Sequence, residues 1–308
     1  MRIKFFPYKT NSNTDTCVAL CFFRPVEYNN PVTNLNIVLN DLHKANIPVF
    51  SIELLYGQQI PTLKNPTLVL RTDSSPWFSK ENLWNILAKH IPSQYSKFIF
   101  LDADVRFDNS NWFNIASKLL DNYDIIQCMS HTYKDITNTN PDTTEYHLNS
   151  MAWNFYRESV ANAIFHNKPL STQYHHTGFN IGITRSYFEK INGFFEYGFN
   201  GCGDTLFWNS FSRIPSTCDS YLSTNKIVEQ EYMNYKNNIE KQIPQVSYIR
   251  DCLCMHLYHG SIPNRNYTNR NQYIDDDIII ERNKDGLLEL KNLKIDLIDY
   301  WIKRKEDE

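Results

Sequence analysis

The chain has 308 residues, with 31 Lys and Arg against 34 Asp and Glu, for a formal net charge of −3. That balance argues against a nucleic-acid binder held by phosphate contacts, which carries a strongly basic face. Its 42% apolar content argues against a disordered chain, and its length predicts one large α/β domain with a C-terminal extension, or two closely fused lobes.

The opening stretch MRIKFFPYKTNSNTDT has basic residues but no apolar h-region, so no signal peptide is expected. The longest apolar runs, such as Val18–Phe23 and Phe98–Leu101, fall short of the roughly 18–20 residues of a membrane span. The seven cysteines are odd in number and contain no C-x-x-C pair, which points to free thiols in a reducing compartment. The expectation is a soluble cytoplasmic protein with no membrane span and no nucleic-acid partner.

Cys17–Phe23 (CVALCFF) is an apolar run of strand length. Leu35, Val38, Leu39, Leu42 and Ala45 then recur at helical spacing, with Thr33 as a candidate cap. Ile47–Leu54 and Thr67–Leu70 read as strands, and Ser79 can cap a helix bearing Leu83, Ile86, Leu87 and Ile91 that Pro92 ends. Lys97–Leu101 is a strand, followed by a helix with Trp112, Phe113, Ala116, Leu119 and Leu120, then a strand at Asp124–Met129. Apolar blocks alternating with amphipathic helices predict a mainly parallel sheet covered on both faces, with ligands at the carboxyl ends of its strands.

The periodicity weakens after residue 130. His131–Ser150 reads as a polar loop, Met151–Phe165 as a helix, Ile181–Ile183 as a buried strand, and Ser186–Ile191 and Thr205–Phe211 as helices. From Asp275 the chain is charged, and Leu287, Leu288, Leu290, Leu293, Leu297 and Ile298 suggest a docked C-terminal helix.

Four segments carry possible chemistry. In Leu101-Asp-Ala-Asp-Val105, Asp102 and Asp104 project from the end of an apolar strand, where hard oxygen ligands can hold Mn²⁺ or Mg²⁺ against a diphosphate. Alone, the pair could equally be two solvated turn acids. His256 and His259, spaced i and i+3, can complete such a coordination sphere or serve as ordinary core histidines. In Gly201-Cys-Gly-Asp204, an ionised Asp204 at a helix start suits a general base, or only a helix cap. Arg24, in Phe22-Phe-Arg-Pro25, leaves the first strand where it could meet a diphosphate or base.

The order of these segments resembles the GT-A glycosyltransferases, Rossmann-like enzymes with a D-x-D metal motif. It is most similar to the lineage of β-1,4-galactosyltransferases and polypeptide N-acetylgalactosaminyltransferases. The likeness lies in FFRP (22–25), SKENLWN (79–85), LDADV (101–105), HHTGFNIGITRSYFEKINGFFEYGFNGCGD (175–204) and HLYHG (256–260), within roughly residues 17–270. It implies a GT-A domain over 1–270, with a nucleotide-binding half near 15–130 and an acceptor half near 150–262, followed by a helical extension over 271–308.

The resemblance further implies transfer from a nucleoside diphosphate sugar, UDP-linked, to a hydroxyl of a glycan or other acceptor, with inversion and Asp204 as base. Asp104, Asp102, His256 and His259 would serve Mn²⁺ or Mg²⁺, while Phe23, Arg24, Glu53, Arg71, Lys80, Asp102, Ala103, Asn180 and Gly203 would bind the nucleotide sugar. Trp77, Trp153 and Tyr174 are candidates for stacking. The family's G-E-D-D cluster is reduced here to Gly203-Asp204-Thr205, and Cys202 stands where the family has a tryptophan that shapes sugar specificity. A retaining transferase, a sugar nucleotidyltransferase and a non-catalytic carbohydrate-binding protein are the competing readings. The nucleotidyltransferase expects a Gly-rich loop after the first strand, and FFRPVEYNNP has no glycine.

Overall fold

The structure is a computed structural model describing residues 2–4, 7–10, 14–136, 145–147, 156–215, 218–261, 263–294 and 297–308. The two most apolar runs form neighbouring parallel strands, Thr16–Phe23 and Lys97–Leu101, at the centre of a seven-stranded sheet, with Leu20 opposite Leu101. Val49–Tyr56 and Leu68–Thr72 continue the sheet in parallel on one side. On the other side Asn180–Thr184 runs antiparallel to both Lys97–Leu101 and Ile125–Gln127, and Val246–Tyr248 closes that edge parallel to Ile125–Gln127. The sheet is thus mixed but mostly parallel, in agreement with the expected α/β class.

Side-chain alternation explains why the central strands are apolar throughout. Val18, Leu20, Ile99 and Leu101 face the helices Asn29–Lys44 and Trp112–Leu119. Cys17, Ala19, Phe98 and Phe100 face Lys80–Ala88 and Gly203–Asn209 on the opposite side. Both faces are covered, so neither can carry polar side chains cheaply. The chain leaves Thr16–Phe23 toward one edge and returns on its other side at Lys97–Leu101, so a switch point opens beyond Phe23 and Leu101.

A second, five-stranded sheet lies at that opening. Its order is His175–His176, Arg157–Ser159, His131–Ile136, Leu253–Leu257 and Val105–Phe107. Val105–Phe107 directly follows the Asp102–Asp104 turn and pairs antiparallel with Leu253–Leu257. Residues far apart in sequence therefore meet where the first sheet ends.

Several elements depart from the sequence reading. The first helix begins at Asn29 rather than after Thr33, because the Asp307 carboxylate accepts hydrogen bonds from the backbone N–H groups of Asn29 and Asn30, at 2.7 Å from each. Within His131–Ser150, residues 131–136 and 145–147 are strands, and the remainder lies outside the described residues. The expected helix 151–165 is a strand at Arg157–Ser159 followed by a helix at Val160–Phe165, whose first turn is capped when Ser159 Oγ accepts from Asn162 N. Residues 151–155, including Trp153, also lie outside the described residues.

The C-terminal leucines do not share one helix. Leu288–Lys291 pairs with Ile279–Arg282 in a hairpin, and the helix runs only from Leu297 to Lys303. Helix Lys226–Glu240 has no counterpart in the sequence reading, since it buries only Val228, Tyr232 and Ile239. All seven cysteines are free and six are buried. Among the described residues no helix is long and apolar enough to cross a membrane.

Gly182 permits close strand packing: a Cβ there would stand 2.6 Å from Ile126 Cγ1 on the neighbouring strand. Gly182→Ala should cost about 1–3 kcal/mol by overpacking. Thermal unfolding should show that Gly182→Ala combined with Ile126→Ala costs less than the sum of the two single changes. Strict additivity would contradict the contact.

Candidate active site

A cleft of about 600 Å³ opens at the switch point and is lined on one side by Phe23, Arg24, Lys80, Asp102, Ala103 and Asp104. His256, His259 and Asp204 line it from the other segments. The turn after Lys97–Leu101 is fixed at both ends. Asp102 N donates to Phe179 O at 2.9 Å, and Asp104 O accepts from Leu257 N at 2.7 Å. Because His256 lies opposite Val105 in the strand register, its ring comes beside the carboxylate of Asp104.

The resulting cluster is tight. Asp104 Oδ2 is 3.4 Å from His256 Nε2 and 3.0 Å from His259 Nε2, and the two Nε2 atoms are 3.2 Å apart. Adjacent donors around an octahedral ion bound at ~2.1 Å lie ~3 Å from one another, so the three atoms have the spacing of one face of a coordination sphere. Among the described residues these three form a group able to hold a metal ion. Asp104 Oδ1 is buried without a hydrogen-bond partner among the described residues, as expected of an oxygen with capacity left for a cation. Burial opposes ionisation of Asp104, but His256 and His259 outweigh it and hold the carboxyl well below the usual range. Carboxylate and imidazole donors together fit a divalent transition ion.

Asp102 has a different partner. Its Oδ1 is 3.3 Å from Lys80 Nζ, and Lys80 also lies 3.9 Å from Glu81 Oε1 and 5.0 Å over the Trp84 ring. Burial raises the Asp102 pKa, with Lys80 opposing and the negative charges of Asp104 and Asp204 adding to the rise. Lys80 itself loses solvation, yet Asp102, Asp204 and Glu81 overcompensate and keep it charged. The pocket floor is therefore a ladder of acids bridged by one ammonium.

Asp204 opens helix Gly203–Asn209, and its Oδ1 accepts from Thr205 N at 2.7 Å. Two glycines shape its surroundings. A Cβ on Gly178 would stand 2.2 Å from Asp204 Oδ2, and one on Gly203 would stand 2.2 Å from Glu81 Cδ. Each absent methyl is space taken by a carboxyl group.

The structure does not bring every candidate to the cleft. Glu53 is buried and its carboxylate accepts from Thr62 N and Leu63 N, clamping a loop. Arg71 is exposed and donates to Gly57 O and Gln59 O. Asn180 is buried in the sheet, where its Oδ1 accepts from Cys128 N. Gly203 lies beneath the Glu81 carboxyl rather than in the cleft wall. Trp77 is buried edge-on against Phe199, and Tyr174 is exposed away from the cleft lining.

Other residues at the site had no local sequence signal. Glu81 is buried beside the acids and lines the cleft. Phe179 adopts a φ of +74°, rare for a residue with a bulky side chain, and its ring is stacked between His176 and His256, with centroids 4.0 and 5.0 Å away. Arg304 and Glu306, from the C-terminal segment, line the cleft as well.

No family model matches the chain, and no curated protein does. Among solved structures, it is similar to the catalytic domain of Drosophila β1,4-galactosyltransferase 7 in complex with xylobiose, at 11% identity over 92% of this chain and 96% of that one, with a TM-score of 0.37. A mutant of that enzyme with manganese, UDP-Gal and xylobiose matches at 12% identity over 92% and 97%, also with a TM-score of 0.37. A Desulfovibrio desulfuricans chain described as a nucleotide-diphospho-sugar transferase matches at 9% over 77% and 80%, with a TM-score of 0.34. At these scores the likeness is coarse, and the chemistry rests on the geometry above.

The charge ladder predicts a pH signature. Burial, opposed by Lys80 and reinforced by Asp204, pushes the Glu81 carboxyl up to about 7. Below pH ~4.5 the group is protonated whether the chain is folded or not. As pH rises toward 7 only the unfolded chain releases the proton, so folding loses about 3 kcal/mol by pH 8. Glu81→Gln should remove that loss. Denaturation at pH 5 and pH 8 should show the parent losing stability relative to the variant, and a pH-independent difference would mean Glu81 is already ionised at pH 5.

Proposed function

We propose that the chain is a metal-dependent GT-A glycosyltransferase that moves a sugar from a UDP-linked nucleoside diphosphate sugar to a hydroxyl of a glycan acceptor, with inversion. The observation that supports it is the convergence of the FFRP turn, the D-x-D acids, the late histidines and Asp204 on one cleft. Separately, each of these motifs has an ordinary structural explanation. Joined, they supply a nucleotide wall, a cation site and a base.

Asp104, His256 and His259 would hold the ion, and their mixed O/N donors suit Mn²⁺ better than Mg²⁺, which prefers oxygen and water. Held there, such an ion would supply Lewis acidity toward the charge that develops on the departing diphosphate. Asp102, steadied by Lys80, orients the donor ribose beside it. Arg24 and Phe23, at the end of the neighbouring strand, border the nucleotide. Asp204 takes the proton of the acceptor hydroxyl: its Oδ1 is held by Thr205 N, which fixes the carboxylate's direction, and Gly178 leaves room for Oδ2. Attack from the face opposite the diphosphate inverts the anomeric carbon.

The test is a screen of UDP-sugars for Mn²⁺-dependent hydrolysis and transfer. Asp104→Asn should abolish turnover, whereas Asp204→Asn should reduce transfer about 10²–10⁴-fold while UDP with Mn²⁺ still raises the melting temperature. Full transfer by Asp204→Asn would overturn the inverting assignment. If UDP and Mn²⁺ do not stabilise the parent protein, the enzyme reading itself fails.

A further inference from the structure

A histidine that binds a metal through one ring nitrogen must carry its proton on the other, and the partner of that second nitrogen sets the tautomer and the ring angle. His259 presents Nε2 to Asp104 and His256, and its Nδ1 is 3.2 Å from Glu306 Oε1. From this geometry we propose that Glu306 is the positioning residue of the metal site, holding His259 with its proton on Nδ1 and its Nε2 lone pair aimed at the ion. The proposal rests on the reading of Asp104, His256 and His259 as metal ligands.

The surroundings of Glu306 are built for that task. Its side chain is 10% exposed and that of His259 12%, so water screens the pair little. Arg304 Nη2 lies 2.5 Å from the same Glu306 oxygen, so a guanidinium and the His259 imidazole converge on one carboxylate atom. A carboxylate oxygen facing Nδ1 at hydrogen-bond distance favours the N–H tautomer at that atom.

The backbone is pinned on both sides of the carboxylate. Asn30 Nδ2 donates to Glu306 O at 2.7 Å, Asp307 caps the helix at Asn29–Lys44, and Tyr28 Oη donates to Ile302 O at 2.6 Å. At Gly260, with φ +88°, an added Cβ would stand 2.9 Å from Arg304 O, so the strap lies directly on the loop that follows His259. Lys305, with φ +48°, reverses the chain between Arg304 and Glu306. These contacts tie the segment after the FFRP turn to the segment carrying the histidines. A mere fastening of the strap would need Arg304 and Asp307 but no acceptor at Nδ1 of a metal-facing ring.

The test measures Mn²⁺ affinity of the full chain by EPR and calorimetry, independent of any sugar. Asp104→Asn and His259→Ala should each weaken binding, and Glu306→Gln should weaken it about 10–100-fold. In the His259→Ala background Glu306→Gln should add nothing, because its only route to the ion is gone. Pulsed EPR should show ¹⁴N coupling from two imidazoles in the parent and a weakened His259 coupling in Glu306→Gln, with that of His256 retained. If Gln impairs folding, Glu306→Asp keeps the charge and should bind with intermediate affinity. Unchanged affinity in Asp104→Asn and His259→Ala would remove the metal reading, and the proposal with it. Weakening in those two but parental affinity in the Glu306 variants would overturn the proposal alone, as would an equal loss from Glu306→Gln with and without His259.

Discussion

The antiparallel pairing of Val105–Phe107 with Leu253–Leu257 holds the rest of the site in place. Three residues after Asp102, the chain stops being the end of one sheet and becomes the edge of another. That change of sheet sets Asp104 beside His256 at a sequence separation of about 150, with no loop spanning the gap. The register allows no sliding, because a shift of one residue would turn His256 to the opposite face of its sheet. The backbone bond from Leu257 N to Asp104 O locks the remaining freedom.

Electrostatics then sort the acids. Asp104 faces two imidazoles and is held ionised, whereas Asp102 and Glu81 face one shared ammonium and each other's charge. Removing that ammonium would leave buried carboxylates with no compensation, which a folded protein avoids by taking up protons. Lys80 thus does for one half of the floor what a cation would do for the other. Neither half is a stabilising device; both resemble the tuned, costly charge arrangements found where chemistry occurs.

How far the sequence discloses this depends on distance along the chain. The two central strands and the helices flanking them were readable because alternating burial on both faces demands continuous apolar runs. Asp102, Asp104 and Arg24 were readable because a strand end is local and places its side chains predictably. Glu53 lies inside Val49–Tyr56 and Arg71 near the end of Leu68–Thr72, and the hydrogen bonds that capture them come from loops the pattern does not describe. Glu81 stands in a helix whose apolar positions could be read, but its importance comes from Gly203, over a hundred residues later. Near the C-terminus, leucines at 287, 288 and 290 fit both periods over so short a stretch, so the pattern suggests helix where the chain forms a hairpin.

Phe179 links these parts in another sense. Its ring is the middle layer of a three-ring stack from His176 to His256, and its carbonyl is hydrogen-bonded by Asp102. His176 begins the run through Thr177, whose hydroxyl meets Thr205 beside Asp204, while His256 belongs to the cluster with Asp104 and His259. That single ring therefore fills the space between both histidines. The two sides of the cleft are thus packed through one ring, set in place by a left-handed backbone at Phe179.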